Sequence, residues 1–271
     1  MTERGRVVCW RLLILVVLVG AWEWLTGIKA ISTTPGLYWI DPFFVSRPSV
    51  ILRRFAYLAS GEVRLSIWAM ALSTVQSTLW GFVVGVSTGF AAGLVLGRRD
   101  RLARVFEPFI IAFNSLPRIA LVPLITMIFG FGLLAKIVLA WTIVFFIVFF
   151  NTFQGARSVD ADLIHSARFL GASERQVMRT VIVPSALAWT FAALTPSVSF
   201  ALIGVVVGEF LGGETGGGLG YLIIQSLGTL NAADMMVALL TLGVIGIVMA
   251  LGIKQVERRL LRWRPEYRKG T

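Results

Sequence analysis

The chain alternates long apolar runs with short polar or charged stretches. About 20 apolar residues suffice to cross roughly 30 Å of hydrocarbon as a helix. Six runs meet or approach that length: Val8 to Leu25, Thr74 to Leu96, Pro108 to Phe129, Leu134 to Phe153, Ala186 to Leu211 and Met235 to Gly252. The pattern predicts an all-α, polytopic membrane protein with six transmembrane helices. It divides into an N-terminal anchor and extracytoplasmic segment (1–66), a transmembrane core (67–254) and a basic tail (255–271). Within the core, residues 154–183 form a cytoplasmic loop.

The runs differ inside. In the second, Gly81, Gly85, Gly89, Gly93 and Gly97 recur every four residues. That spacing puts them on one helix stripe, where a neighbouring backbone can approach closely, so the stripe is read as packing. The third run carries Asn114, Pro117, Arg118 and Pro123. Two prolines remove backbone donors, and such breaks are tolerated in a membrane where they face protein or a water-filled cavity. Asn114, Pro117 and Arg118 are therefore candidates to line a path; the competing reading is a re-entrant bend near the cytoplasmic surface. Lys136, at the start of the fourth run, is expected to snorkel outward. The fifth run has Pro196, which suggests a kink, and a second small stripe, Gly204, Gly208 and Gly212. Glu209 sits near its outer end and joins Pro196 among the path candidates. The glycine-rich segment Gly212 to Asp234 holds no lysine or arginine and reads as a flexible, re-entrant outer loop. Pro35, Pro42 and Pro48 break up the stretch after the first run, and Pro48 to Ala59 reads as a short surface helix.

One polar stretch is too patterned to be a simple connector: Asp160 to Pro184, DADLIHSARFLGASERQVMRTVIVP. Leu163, Ala167, Leu170, Val177 and Val181 fall at helical spacing, which predicts one apolar face. Asp160 can cap a first helix. Gly171 can end it, because glycine enters the left-handed region without steric cost. Ser173 and Gln176 then read as a capping box opening a second helix. The prediction is two short helices with a sharp bend at Gly171, Ala172 and Ser173, decorated by Arg168, Arg175 and Arg179. Such an element suits docking of a soluble partner.

Composition narrows the class. The chain of 271 residues is 57% hydrophobic, against about 45–50% in soluble domains. Its net charge of +11 does not point to nucleic acid, because the basic residues sit beside the apolar runs, where the positive-inside rule places them. Most lie in four stretches that would then be cytoplasmic, including both termini. Arg47, Arg53, Arg54 and Arg64 run against this pattern. The single cysteine, Cys9, leaves no internal disulfide. The first run is taken as a retained anchor, since Trp22, Glu23 and Trp24 follow it where a cleavage site would fall. No Gly-Lys pair exists, so there is no phosphate-binding P-loop. His165 is the only histidine, so no zinc protease motif can form. The spans are nearly free of ionisable residues at their centres, which argues against a proton relay within the chain.

The stretch HSARFLGASERQVMRTVIVP resembles the EAA loop of permease subunits of ATP-binding-cassette importers. Ala167 matches its second alanine, Gly171 its glycine and Pro184 its proline. His165 and Ser166 stand where the motif has glutamate and alanine. The five-glycine run, LPRIALVPLITMIFGFG and VVVGEFLGGETGGGLGYLI look like the subgroup that handles nitrate, sulfonates and taurine. Similar members carry pyrimidine precursors of thiamine. The resemblance implies a type I importer-like fold, a homodimer forming one path and two copies of a separate ATPase that uses ATP and magnesium. It also implies a soluble binding protein outside, with Glu209 and Tyr221 as candidate contacts. This chain would hold no cofactor or metal and would not be an enzyme. Leu163, Ala167, Leu170, Gly171, Ala172, Ser173 and Pro184 would form the ATPase-coupling element. A self-sufficient secondary transporter or channel, and a membrane scaffold, remain the other readings.

Overall fold

The computed structural model describes residues 3–28, 41–61, 66–212 and 217–261, and among these every regular element is a helix. The N-terminal part holds α1 (Glu3–Leu25), α2 (Pro42–Val45) and α3 (Pro48–Ala59). The core holds α4 (Ile67–Arg98), α5 (Asp100–Ser115), α6 (Val122–Phe129), α7 (Leu133–Arg157), α8 (Ala161–Phe169), α9 (Glu174–Val177) and α10 (Val183–Leu211). Two further helices, α11 (Leu219–Gly228) and α12 (Ala232–Leu260), complete it. Five segments are long and apolar enough to cross a membrane by themselves, and the bent pair α5–α6 makes a sixth if counted as one span. Pro35, Arg64, Gly213, Gly216 and the basic tail from Arg262 onward lie outside the described residues.

The centre of the bundle is the parallel pair α4–α7. The glycine stripe of α4 meets a matching stripe on α7 in the same four-residue register: Ala140, Val144, Val148, Thr152 and Ala156. A methyl group on Gly93 would lie 2.6 Å from the Phe149 carbonyl oxygen, and one on Gly85 2.7 Å from Val144 Cβ. No side chain fits there, so the backbones touch, and dispersion at short range replaces the hydrophobic drive that lipid does not supply. Helix α10 also packs on α7, where Gly204 faces Ile143 and Ala140. The packing role read for the stripes therefore holds.

Several expectations need correction. Helix α4 begins at Ile67, a full two turns before Thr74. Helix α10 is continuous through Pro196, as a kinked helix also is. Proline cannot donate to the Ala192 carbonyl, but one missing bond is absorbed when packing on both flanks holds the helix. The stretch after Gly212 is not merely a loop. It folds into α11, whose Leu219, Gly220, Leu222 and Ser226 are buried. Helix α3 matches Pro48 to Ala59 and is tied to α12 by Arg54, whose Nη2 donates to Asp234 Oδ2 at 2.9 Å. This bond raises the Arg54 pKa above the ordinary guanidinium value, so the tie does not weaken from the basic side near neutral pH.

Candidate functional site

The stretch Asp160 to Pro184 folds as two capped helices. Asp160 accepts from the Asp162 amide at 2.9 Å and opens α8. Gly171, at φ +83°, ends it. The Gly171 amide donates to the Arg168 carbonyl and the Ala172 amide to the Ala167 carbonyl, the paired bonds of a Schellman motif. Ser173 and Gln176 form a reciprocal capping box that opens α9. A single π-helical turn, Met178–Ile182, then joins α9 to α10, with Pro184 in the first turn of that helix. Arg168 and Glu174 pair across the bend at 2.8 Å, an exposed contact that contributes at most about 1 kcal/mol.

The apolar residues do not share one face as their spacing predicts. Val177 is fully buried and Ala167 half-buried, packed with Ile164, Ala172 and Ala156 against the ends of α4 and α10. Leu163 and Leu170 point outward, joined by Phe169, which is 96% exposed. Within α8 it is Ile164 and Ala167, three residues apart, that face the bundle, whereas Leu163 lies off that face and Leu170 follows the last helical residue. The result is an apolar tip, Leu163, Phe169 and Leu170, standing on a rigidly seated base. Phe169 escaped the spacing argument because it lies off the predicted stripe. The tip is at the arginine-rich end of the bundle, where Arg157 pairs with Asp100 at 3.1 Å.

A second polar centre lies at the opposite, glycine-rich end. Lys136 does not snorkel: it is 4% exposed, and its ammonium donates to Glu209 Oε1 (3.3 Å), Ser73 Oγ (2.9 Å) and the Gly217 carbonyl (3.2 Å). Glu209 is fully buried and also accepts from Thr74 Oγ1 at 2.9 Å and the Gly220 amide at 2.9 Å. Thr74 Oγ1 in turn accepts from the Leu219 amide at 3.0 Å. The clasp joins α4, α7, α10 and the start of α11. A side chain at Gly218 would collide with the Glu209 carboxylate. Burial with paired, hydrogen-bonded charge is the only cheap arrangement for these groups in a membrane. Glu209 thus has no surface to offer a path or a binding protein, which removes it from both candidate roles, whereas Tyr221 is half-buried.

The third feature is the break between α5 and α6, where the chain bends by 82°. Asn114 and Pro117 are exposed and Arg118 is half-buried. Arg118 Nη2 donates to Asn114 Oδ1 at 2.7 Å, and its guanidinium lies over the Phe146 ring, 5.0 Å from the centroid. Pro196 is exposed midway along α10. The sequence Gly85–Val86–Ser87–Thr88–Gly89 has nucleophile-elbow spacing, but it lies inside α4, with the Ser87 hydroxyl donating to the Val83 carbonyl at 2.7 Å. Among the described residues no group of histidine, cysteine and carboxylate side chains could hold a metal.

The bundle, its capped pair and its broken span define a multi-pass, all-helical membrane protein. Residues 81–262 match the family described as binding-protein-dependent transport system inner membrane component. The chain is 30% identical over 261 residues to the putative aliphatic sulfonates transport permease protein SsuC of Bacillus subtilis (strain 168), covering 94% of this chain and 88% of that one. It is 27% identical to the taurine transport system permease protein TauC of Escherichia coli (strain K12), covering 86% and 85%. A solved inward-facing structure of the MetNI methionine transporter superposes with TM-score 0.53 at 25% identity, covering 72% of this chain and 93% of that one. The chain belongs to this family and is a permease subunit of an ATP-binding-cassette importer, of the sulfonate- and taurine-like subgroup. Such permeases work in the inner membrane with an ATPase and a binding protein.

Proposed function

We propose that the α8–α9 pair is the coupling element and that the tip of Leu163, Phe169 and Leu170 seats in an apolar groove of the ATPase. The observation that carries this is the contrast between tip and base. Three large apolar side chains stand in the open on a helix pair whose inner side, Ile164, Ala167 and Val177, packs on the bundle and whose bend is capped on both sides. An exposed apolar cluster on a rigid base suits helix-in-groove docking. Gly171, Ala172 and Ser173 set the bend that presents the tip, and Pro184 starts the span that receives the motion. The motif glutamate is replaced by His165, so docking here rests on the apolar tip and the arginine rim.

The arginine-rich end then faces the cytoplasm, together with both termini, as the positive-inside rule requires. Two copies of the chain would enclose one path, two ATPase copies would act on their α8–α9 tips, and the binding protein would deliver solute to the glycine-rich end. The α5–α6 break, with Asn114, Pro117 and Arg118, and the exposed middle of α10 around Pro196 would line the path. The solute follows the subgroup: a small sulfonate-like or related organic molecule.

The test is reconstitution with the cognate ATPase and binding protein. Gly171→Asp is expected to insert normally and to lose ATPase association and uptake. Normal uptake by that variant sinks the coupling assignment. Solute flux driven by an ion gradient through this chain alone would favour a secondary transporter instead.

A further inference from the structure

Three arginines lie over aromatic rings: Arg54 over Tyr57, Arg157 over Phe153 and Arg118 over Phe146. Arg54 holds Asp234 and Arg157 holds Asp100, so each is neutralised. Arg118 holds no carboxylate among the described residues. Its one hydrogen bond goes to the neutral amide of Asn114, and its Nε is a buried nitrogen with no partner. Phe146 lies near the middle of α7, so this half-buried cation at the α5–α6 break stands level with the middle of that span. Lys136, the other basic residue placed inside the core, has Glu209 as its counter-ion.

An uncompensated guanidinium at membrane depth is costly against lipid, so it faces protein or water. It stands at a break in the spanning backbone, beside exposed Asn114 and Pro117. With one Nη2 hydrogen donated to Asn114, the guanidinium over Phe146 keeps further N–H donors, and its fork matches the two oxygens of a carboxylate or sulfonate. In a site shielded from bulk water the attraction of such a pair is several times stronger than in solution.

We propose that Arg118 is the solute-contacting cation of the path and that the transported solute is a small oxyanion, a sulfonate or a carboxylate. This rests on the assignment of the α5–α6 break to the path. Phe146 and Asn114 position the guanidinium, and the solute completes its hydrogen bonds in passing.

The test uses the full-length chain in lipid without nucleotide, with Cys9→Ser and Asn114→Cys. The new thiol stands beside the guanidinium. It is treated with the anionic sulfonatoethyl methanethiosulfonate and with its cationic trimethylammonium counterpart. Each rate is divided by that reagent's rate with free 2-mercaptoethanol. The expected normalised preference for the anionic reagent is about tenfold, retained in Arg118→Lys and reduced to about one in Arg118→Gln. A preference that Arg118→Gln leaves intact overturns the proposal. So does a thiol that neither reagent reaches. Because no ATPase is present, the result is independent of the coupling assignment. ATP-driven uptake of taurine and of ethanesulfonate, measured separately, distinguishes a failed importer from a path that lacks charge selectivity.

Discussion

Two cations inside this bundle have opposite circumstances. Lys136 is buried, and carboxylate, hydroxyl and carbonyl oxygens accept its protons. Arg118 has one neutral acceptor, an aromatic ring beneath it and a nitrogen left over. The first charge is part of the scaffold. It pins the glycine-rich segment and the start of α11 to three long helices, and nothing remains of it for a ligand. The second is held in place but not satisfied. Membrane interiors penalise both, so a charge kept there without a counter-ion marks a place where one arrives. Position in the sequence does not separate the two, since both lie in apolar runs. Their partners do.

The largest effect is expected at the clasp. Glu209→Ala leaves the Lys136 ammonium buried without its carboxylate and should cost about 3–5 kcal/mol, read as a large fall in thermal unfolding temperature in detergent. Joint replacement of Lys136 by Met and Glu209 by Leu should recover most of that loss, because the pair itself contributes little net. If the double variant is no better than the single, the clasp is not an ion pair in the sense used here. Next comes the α4–α7 ladder. Gly93→Val drives methyl groups into the Phe149 carbonyl and should destabilise by about 3 kcal/mol, the upper end for overpacking, since backbone cannot step aside.

Arg118→Gln should do the reverse. Stability should be unchanged or slightly higher, while ATP-driven uptake falls. A stability loss as large as that of Glu209→Ala would erase the contrast between the two cations. The exposed tip offers a similar split. Leu163, Phe169 and Leu170 changed to alanine together should leave unfolding within about 0.5 kcal/mol per site, yet weaken ATPase association tenfold or more. The smallest effect is Ser173→Ala, which removes one half of the capping box and should cost about 1 kcal/mol with partial loss of coupling.

The capped pair was legible because its signals are local. A capping serine, a glutamine three residues on and a glycine at the bend act through backbone atoms a few positions away. Asp160, Gly171, Ser173 and Gln176 each do what their spacing foretells. The glycine stripe announced close packing for the same reason of periodicity, though not its partner, because Ala140, Val144, Val148, Thr152 and Ala156 are unremarkable in an apolar run. The proline break at Pro117 was equally visible, as it follows from a missing donor.

By itself the amino-acid order determined the all-helical membrane class, the runs that span it, the bend in the polar loop and the interruption of the third run. Each follows from hydropathy or from chemistry within one helical turn. Tertiary structure alone decided that Lys136 turns inward, that Glu209 is enclosed, that Phe169 stands exposed and that Arg118 meets no carboxylate among the described residues. For Lys136 and Glu209 the outcome depends on groups that meet across 63 to 145 positions of chain, as in Ser73 with Lys136 and Thr74 with the Leu219 amide. No periodicity encodes such meetings, because the cost of a buried charge is set by the neighbour that folding brings to it.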